Sequence, residues 1–166
     1  MFVRLAFRAG RLRIVIQQHI SQLTRTFTFG QGALPITFFL DEMPQLGNLA
    51  ALNDILDVGR GAGLRLWLFA QYLGQIRDIY GARANGLINA CQVRSFLQPD
   101  NDAAEFIAPA LGKTRSLFKG DERPLAEPHD LMGQPYSDKI IALARGERPA
   151  VLSKLMAHKH YGHWMR

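Results

Sequence analysis

Two adjacent carboxylates, Asp41 and Glu42, stand directly after the apolar run PITFFL. A short continuous apolar run of this kind reads as a buried strand of a parallel sheet. Catalytic groups in parallel α/β sheets sit at the carboxyl ends of strands, where the loops open into a crevice. An acidic pair placed there suits metal-assisted hydrolysis. The Asp would position Mg²⁺ through its water shell, because Mg²⁺ favours oxygen ligands and keeps several waters. The Glu would polarise an attacking water. The same pattern is also that of an ordinary helix N-cap, so the pair needs its surroundings to be interpreted.

Strands and helices must hold that pair in place. Leu5, Ala9, Leu12, Ile16, Ile20, Leu23 and Phe27 recur at three- and four-residue spacing, which predicts one face of a long amphipathic helix over 1–30, broken by Gly30 and Gly32. The pair follows, with Asn48 able to cap a helix over about 49–58. LRLWLFA reads as a second strand, 73–89 as a helix interrupted near Gly81, and CQVRSFL as a third strand. Pro99-Asp100 starts a helix that ends at Gly112. The stretch 115–137 is polar and contains three prolines, as expected of a surface excursion. KIIALA, a RGERP turn and VLSKLMA then predict a C-terminal hairpin within 137–166. Strands alternating with helices indicate an α/β fold with a mostly parallel sheet in a single domain, its core over 34–112.

Composition sets limits on function. The chain has 166 residues, 48% hydrophobic and 20% charged, enough for one ordinary globular core. Its single cysteine, Cys91, excludes an internal disulfide framework and reads as a buried structural thiol. Arg4, Arg8, Arg11, Arg13 and Arg25 give the first forty residues +5 of the net +6, with no acid before Asp41. That asymmetry fits an anionic partner or a solvated helix face, and an Arg-rich amphipathic start also has the look of a targeting helix. No stretch reaches the ~18 apolar residues of a membrane span. His158, His160 and His163 are spaced so that a metal site is conceivable, but no Cys or carboxylate lies nearby to complete a tetrahedral set.

FFLDEMPQLGNLAALNDILDVGRGAGLRLWLFAQYLGQIRDIYG resembles the coupling-protein ATPases of type IV secretion and conjugative DNA transfer. These read as apolar strand, DE, a QLG-like turn, helix, RGxG-like loop, apolar strand ending in Gln, and a helix running to YG. The likeness continues at GLINACQVRSFL, AAEFIAPALGKT and DKIIALARGERPAVL, from about Leu34 to Tyr161. It implies a RecA-like P-loop NTPase fold in which Asp41 serves Mg²⁺ and Glu42 is the catalytic base. Gln71 is then the sensor of the γ-phosphate, and Arg60 the first candidate for an arginine finger, with Arg94 second. Asp41, Glu42 and Gln71 are the residues so implied at ATP and Mg²⁺. The implied whole protein is a DNA-pumping, hexameric ring on the cytoplasmic side of the bacterial inner membrane, with relaxosome proteins and secretion-channel components as partners.

A phosphate loop ending in GK[ST] is required for that chemistry, and none precedes Asp41. Gly112-Lys113-Thr114 is a decoy: the first glycine of the motif would fall at Ile107, and the segment leaves a helix rather than a strand. In the family's sheet the phosphate-loop strand lies between the Gln71 strand and the CQVRSFL strand. The expectation is a rear part of a motor that lacks the phosphate-binding half of its domain and is inactive alone. The alternative is a non-catalytic interaction domain, derived from such an ATPase and acting on an intact paralogue or a relaxosome partner.

Overall fold

A computed structural model describes residues 2–4, 18, 20–22, 36–49, 52, 56, 63–115 and 122–160, and structural statements below concern these residues. The chain divides into two compact units, Met1–Ala90 and Cys91–Arg166, each described by itself.

In the first unit β1 (Phe2–Arg4), β2 (Ile36–Leu40) and β3 (Leu64–Leu68) form a parallel sheet in the order β1-β2-β3. The sheet corrects the expectation of a helix over the whole of 1–30. Phe2 and Val3 favour extended backbone, and pairing with β2 satisfies polar groups that a bare strand edge would leave open. Gln18, Ile20, Ser21 and Gln22 are helical, as the periodicity predicts. Ile20 is the one member of the apolar stripe among the described residues, and it is buried in the core. The other stripe residues, and most of 49–58, lie outside the described residues; Leu52 is helical.

β2 alternates rather than being buried throughout. Ile36, Phe38 and Leu40 enter a core with Ile20, Met43, Leu46, Leu49, Leu52, Leu64, Tyr80 and Leu87, while Thr37 and Phe39 face the other way. On that second face Phe39 stacks on Trp67 with centroids 5.7 Å apart, and Trp67 on Phe69 at 6.4 Å. Trp67 is 57% exposed on that face. After β3 come α1 (Leu73–Tyr80), a 3-10 turn Gly81–Arg83 and α2 (Ala84–Ala90). The break falls at Gly81, as expected, where φ of +53° is cheap only for glycine.

The second unit is built on β4 (Val93–Leu97), β7 (Lys139–Ala144) and β8 (Ala150–Ser153), an antiparallel sheet in the order β4-β7-β8. The hairpin β7–β8 is the one read from KIIALA and VLSKLMA, turning with Gly146 at φ +82°. The CQVRSFL strand pairs antiparallel with β7, the first strand of the hairpin that returns beside it. β3 and β4 are therefore each the last strand of their own sheet among the described residues. α3 (Asn101–Leu111) opens on the Asp100 side chain, which accepts from the Ala103 N–H at 2.9 Å, and ends at Gly112 with φ +84°. The decoy Lys113-Thr114 lies in β5 (Lys113–Arg115), paired with β6 (Glu122–Pro124).

The polar stretch after Arg115 is more than a surface excursion. It includes β6 and α4 (Pro128–Met132), and it buries Ala126 and Leu131. The Asp130 carboxylate reaches back to accept from the Glu127 N–H at 3.0 Å, which starts α4. The last described element is the short helix α5 (Ala157–His160). No helix among the described residues is long and apolar enough to cross a membrane.

Ile107 of α3 is 0% exposed at the centre of the second unit's core. Ile107→Ala should lower stability by about 2–5 kcal/mol. Urea unfolding followed by circular dichroism measures the effect, with the exposed neighbour Glu105→Ala as the near-neutral control.

Candidate functional site

The pairing of β2 with β3 builds the site. Leu40 lies beside Leu68 in parallel register, so the two strands end at the same level. Beyond the last rung, the Phe69 N–H donates to the Leu40 carbonyl at 3.1 Å and the Met43 N–H donates to the Phe69 carbonyl at 2.9 Å. These two bonds stitch the loops together and bring Glu42 opposite Gln71. The Gln71 Nε2 donates to Glu42 Oε2 at 3.0 Å.

Glu42 holds an unusual backbone, φ +53° and ψ +48°, at the start of the 3-10 turn Met43–Leu46. A non-glycine residue in the left-handed region costs about 1–2 kcal/mol and persists only where its surroundings enforce it. Pro44 and the buried Met43 and Leu46 supply that enforcement. Although Glu42 is at the N-cap position, its side chain makes no capping bond. Its carboxylate points to the two glutamines instead, which separates it from the ordinary N-cap that the motif alone left open. Asp41, next to it, is exposed.

Two residues of this arrangement were not read from the sequence. Gln75, in the first turn of α1, donates its Nε2 to Glu42 Oε1 at 3.4 Å, and its Oε1 accepts the Gln71 N–H at 3.0 Å. Tyr80, at the end of α1, is buried beneath the loop. Its hydroxyl donates toward the Gly47 carbonyl at 3.2 Å, lies 3.6 Å from Met43 Sδ, and accepts the Leu49 N–H at 3.3 Å. The four-residue spacing of Gln71 and Gln75 was a usable signal; nothing local in the sequence pointed from Tyr80 to Met43–Leu49.

Arg60 lies outside the described residues. Arg94 belongs to the second unit, its guanidinium 5.4 Å from the Phe106 ring centroid and its Nε buried without a hydrogen-bond partner. Cys91 is partly buried, and burial pushes its thiol up, with Arg94 offsetting part of the effect. An inert structural thiol behaves this way. Among the described residues no three His, Cys, Asp or Glu side chains gather as a metal would require. His163 is outside them.

A family model described as the TraM recognition site of TraD and TraG matches residues 35–135. The conjugal transfer protein TraG of Agrobacterium fabrum (strain C58 / ATCC 33970) is 32% identical, over 68% of this chain and 20% of that protein. The probable conjugal transfer protein TraG of Sinorhizobium fredii is 28% identical over 82% of this chain and 24% of that protein. The type IV secretion system-coupling protein VirD4 of Bartonella henselae is 31% identical over 69% and 21%. Among solved structures, the plasmid coupling protein TrwB in complex with ADP and Mg²⁺ superposes with a TM-score of 0.73 at 22% identity, covering 90% of this chain and 39% of that one.

These likenesses define the class of fold: part of the α/β fold of the coupling protein TrwB, with a parallel sheet and an antiparallel hairpin sheet. The chain belongs to the TraG/TraD family of type IV secretion coupling proteins and corresponds to the C-terminal part of its members. It spans a quarter or less of the length of these curated relatives.

Tyr80→Phe leaves the Leu49 N–H and the Gly47 carbonyl without their phenolic partner in a buried place. The variant should lose about 1–3 kcal/mol. Hydrogen exchange at the Leu49 amide, read together with the urea midpoint, checks it.

Proposed function

We propose that this chain is the part of a DNA-transfer coupling ATPase that carries the Mg²⁺-positioning acid, the catalytic base and the γ-phosphate sensor. The observation that carries the reading is the 3.0 Å bond from Gln71 to Glu42 across the ends of two adjacent parallel strands. A carboxylate held in a strained turn, without a capping role and facing an amide, is an arrangement suited to chemistry rather than to stability.

The donor set fits the groups proposed for it. Asp41 and Glu42 offer the hard oxygen ligands that Mg²⁺ prefers, and Asp41 is exposed at the strand end, where a hydrated ion can be reached. Bound Mg²⁺ would supply charge neutralisation on the phosphates. Glu42 would accept the proton of the attacking water. Gln71 would donate its amide to a γ-phosphate oxygen and orient the water through its carbonyl. Arg60, or secondarily Arg94, would neutralise charge that develops at a subunit boundary. The phosphate-loop portion is not in this sequence, and β3 and β4, each the last strand of its sheet among the described residues, are compatible with a domain that another segment completes. In that reading the completed protein is a ring motor at the bacterial inner membrane that moves DNA, or DNA with bound protein, into a secretion channel.

A second reading rests on the matching family model, whose description is of a TraM recognition site. Residues 35–135 would then serve to dock a relaxosome protein, with or without hydrolysis. Binding to a TraM-type protein that survives Glu42→Gln and Gln71→Ala would favour docking by a surface other than the acidic pair.

ATP hydrolysis tests the preferred reading. The 166-residue chain alone should not turn over MgATP. The chain joined to the phosphate-loop portion of a relative such as the Agrobacterium TraG should do so, and Glu42→Gln should reduce kcat by about 10²-fold or more. Glu42-dependent turnover by the chain alone would overturn its incompleteness, and full activity of Glu42→Gln in the completed protein would overturn the assignment of the base.

A further inference from the structure

Gln75 closes a ring of hydrogen bonds that no motif predicts. The Glu42 carboxylate uses both oxygens, Oε2 toward Gln71 Nε2 at 3.0 Å and Oε1 toward Gln75 Nε2 at 3.4 Å. Gln75 in turn takes the Gln71 backbone N–H on its Oε1 at 3.0 Å. One side chain therefore touches the two proposed active groups by different atoms, one bond holding a carboxylate and the other a backbone position. It is placed to do so by the first turn of α1, which the buried Leu73 and Tyr80 pack against the first unit's core. α1 is thus a rigid base, whereas Glu42 and Gln71 lie on loops.

The two glutamines differ in what they can release. Gln71 is exposed, and Gln75 fixes its backbone rather than its side chain. Gln75 is partly buried and tied at both ends of its amide. When the Gln71 amide turns from Glu42 to another acceptor, the Glu42 carboxylate keeps one donor and stays aimed. Without Gln75 the carboxylate would lose all the orientation these two amides give it at the moment Gln71 leaves.

We propose that Gln75 is a positioning residue, which anchors Glu42 through Oε1 and the Gln71 backbone through its N–H, so that Gln71 can exchange Glu42 for a phosphate oxygen without freeing the base. This inference rests on the ATPase reading above for its functional consequence, but its hydrogen-bond half can be measured without activity.

Two substitutions separate the bonds. Gln75→Met keeps side-chain length and helix propensity and removes both hydrogen bonds. Gln75→Glu keeps an acceptor for the Gln71 N–H and removes the donor to Glu42. In the ¹⁵N-labelled 166-residue chain, exchange of the Gln71 amide should rise about tenfold in Gln75→Met and stay within about twofold in Gln75→Glu. An unchanged Gln71 amide in Gln75→Met overturns the anchoring. In the completed ATPase with MgATP, both variants should lower kcat about tenfold and leave KM within about twofold, because orientation of the base matters only in the reaction step. A normal kcat in Gln75→Met, in a preparation that Glu42→Gln inactivates, overturns the positioning role. A slow Gln75→Met beside a normal Gln75→Glu overturns the hold on Glu42 and leaves only the backbone contact. If Glu42→Gln itself is fully active, the ATPase reading has failed and the functional half of the inference fails with it, while the amide-exchange result still stands on its own.

Discussion

The parallel pairing of β2 with β3 is the constraint from which the site follows. Side chains alternate between the faces of a sheet, so a slip of one residue would turn Ile36, Phe38 and Leu40 out of the core. That apolar set fixes the register, and the register fixes where the two strands stop. Phe69 and Met43 then extend the ladder by one bond each into the loops. The meeting of a carboxylate and an amide 29 residues apart is thus held by hydrophobic burial several ångströms beneath it. The polar contacts on top are the outcome of that order and add little to it.

Much of this was legible in the sequence. The acidic pair after an apolar run, the strand that leads to Gln71, the helix from Asp100 to Gly112 and the C-terminal hairpin are all local patterns, and local patterns survive in a linear reading. The decoy at Gly112 was also resolved by local rules, since a glycine with positive φ closes a helix there. What escaped depends on distant partners. Tyr80 acts on Met43–Leu49 from across the unit, and Gln75 on Glu42 from 33 positions away. β1 was hidden because its three residues stand just ahead of the periodicity that begins at Leu5, and only their pairing with the distant β2 marks them as a strand. The antiparallel placement of β4 was set by β7, which lies more than forty residues later.

The two units distribute apolar surface differently. In the first, the face of β2 and β3 opposite the core carries stacked Phe39, Trp67 and Phe69. In the second, β4 and β8 leave Val93, Leu97 and Leu152 exposed, while Ile141 and Leu143 of β7 are buried. Purely parallel sheets are normally covered on both faces, because their crossover helices fall on them. Among the described residues the first unit's parallel sheet instead has one face on the core and one aromatic face.

Glu42 in the left-handed region has a consequence for descent. At that backbone geometry glycine, and to a lesser degree asparagine, would relieve strain of about 1 kcal/mol that every other residue bears. A lineage that stopped using the carboxylate would have a standing incentive to drift toward those two, and little to bring it back. On the role proposed for Glu42, the position would behave as a ratchet whose relaxed end is a turn without chemistry, with this chain at the loaded end.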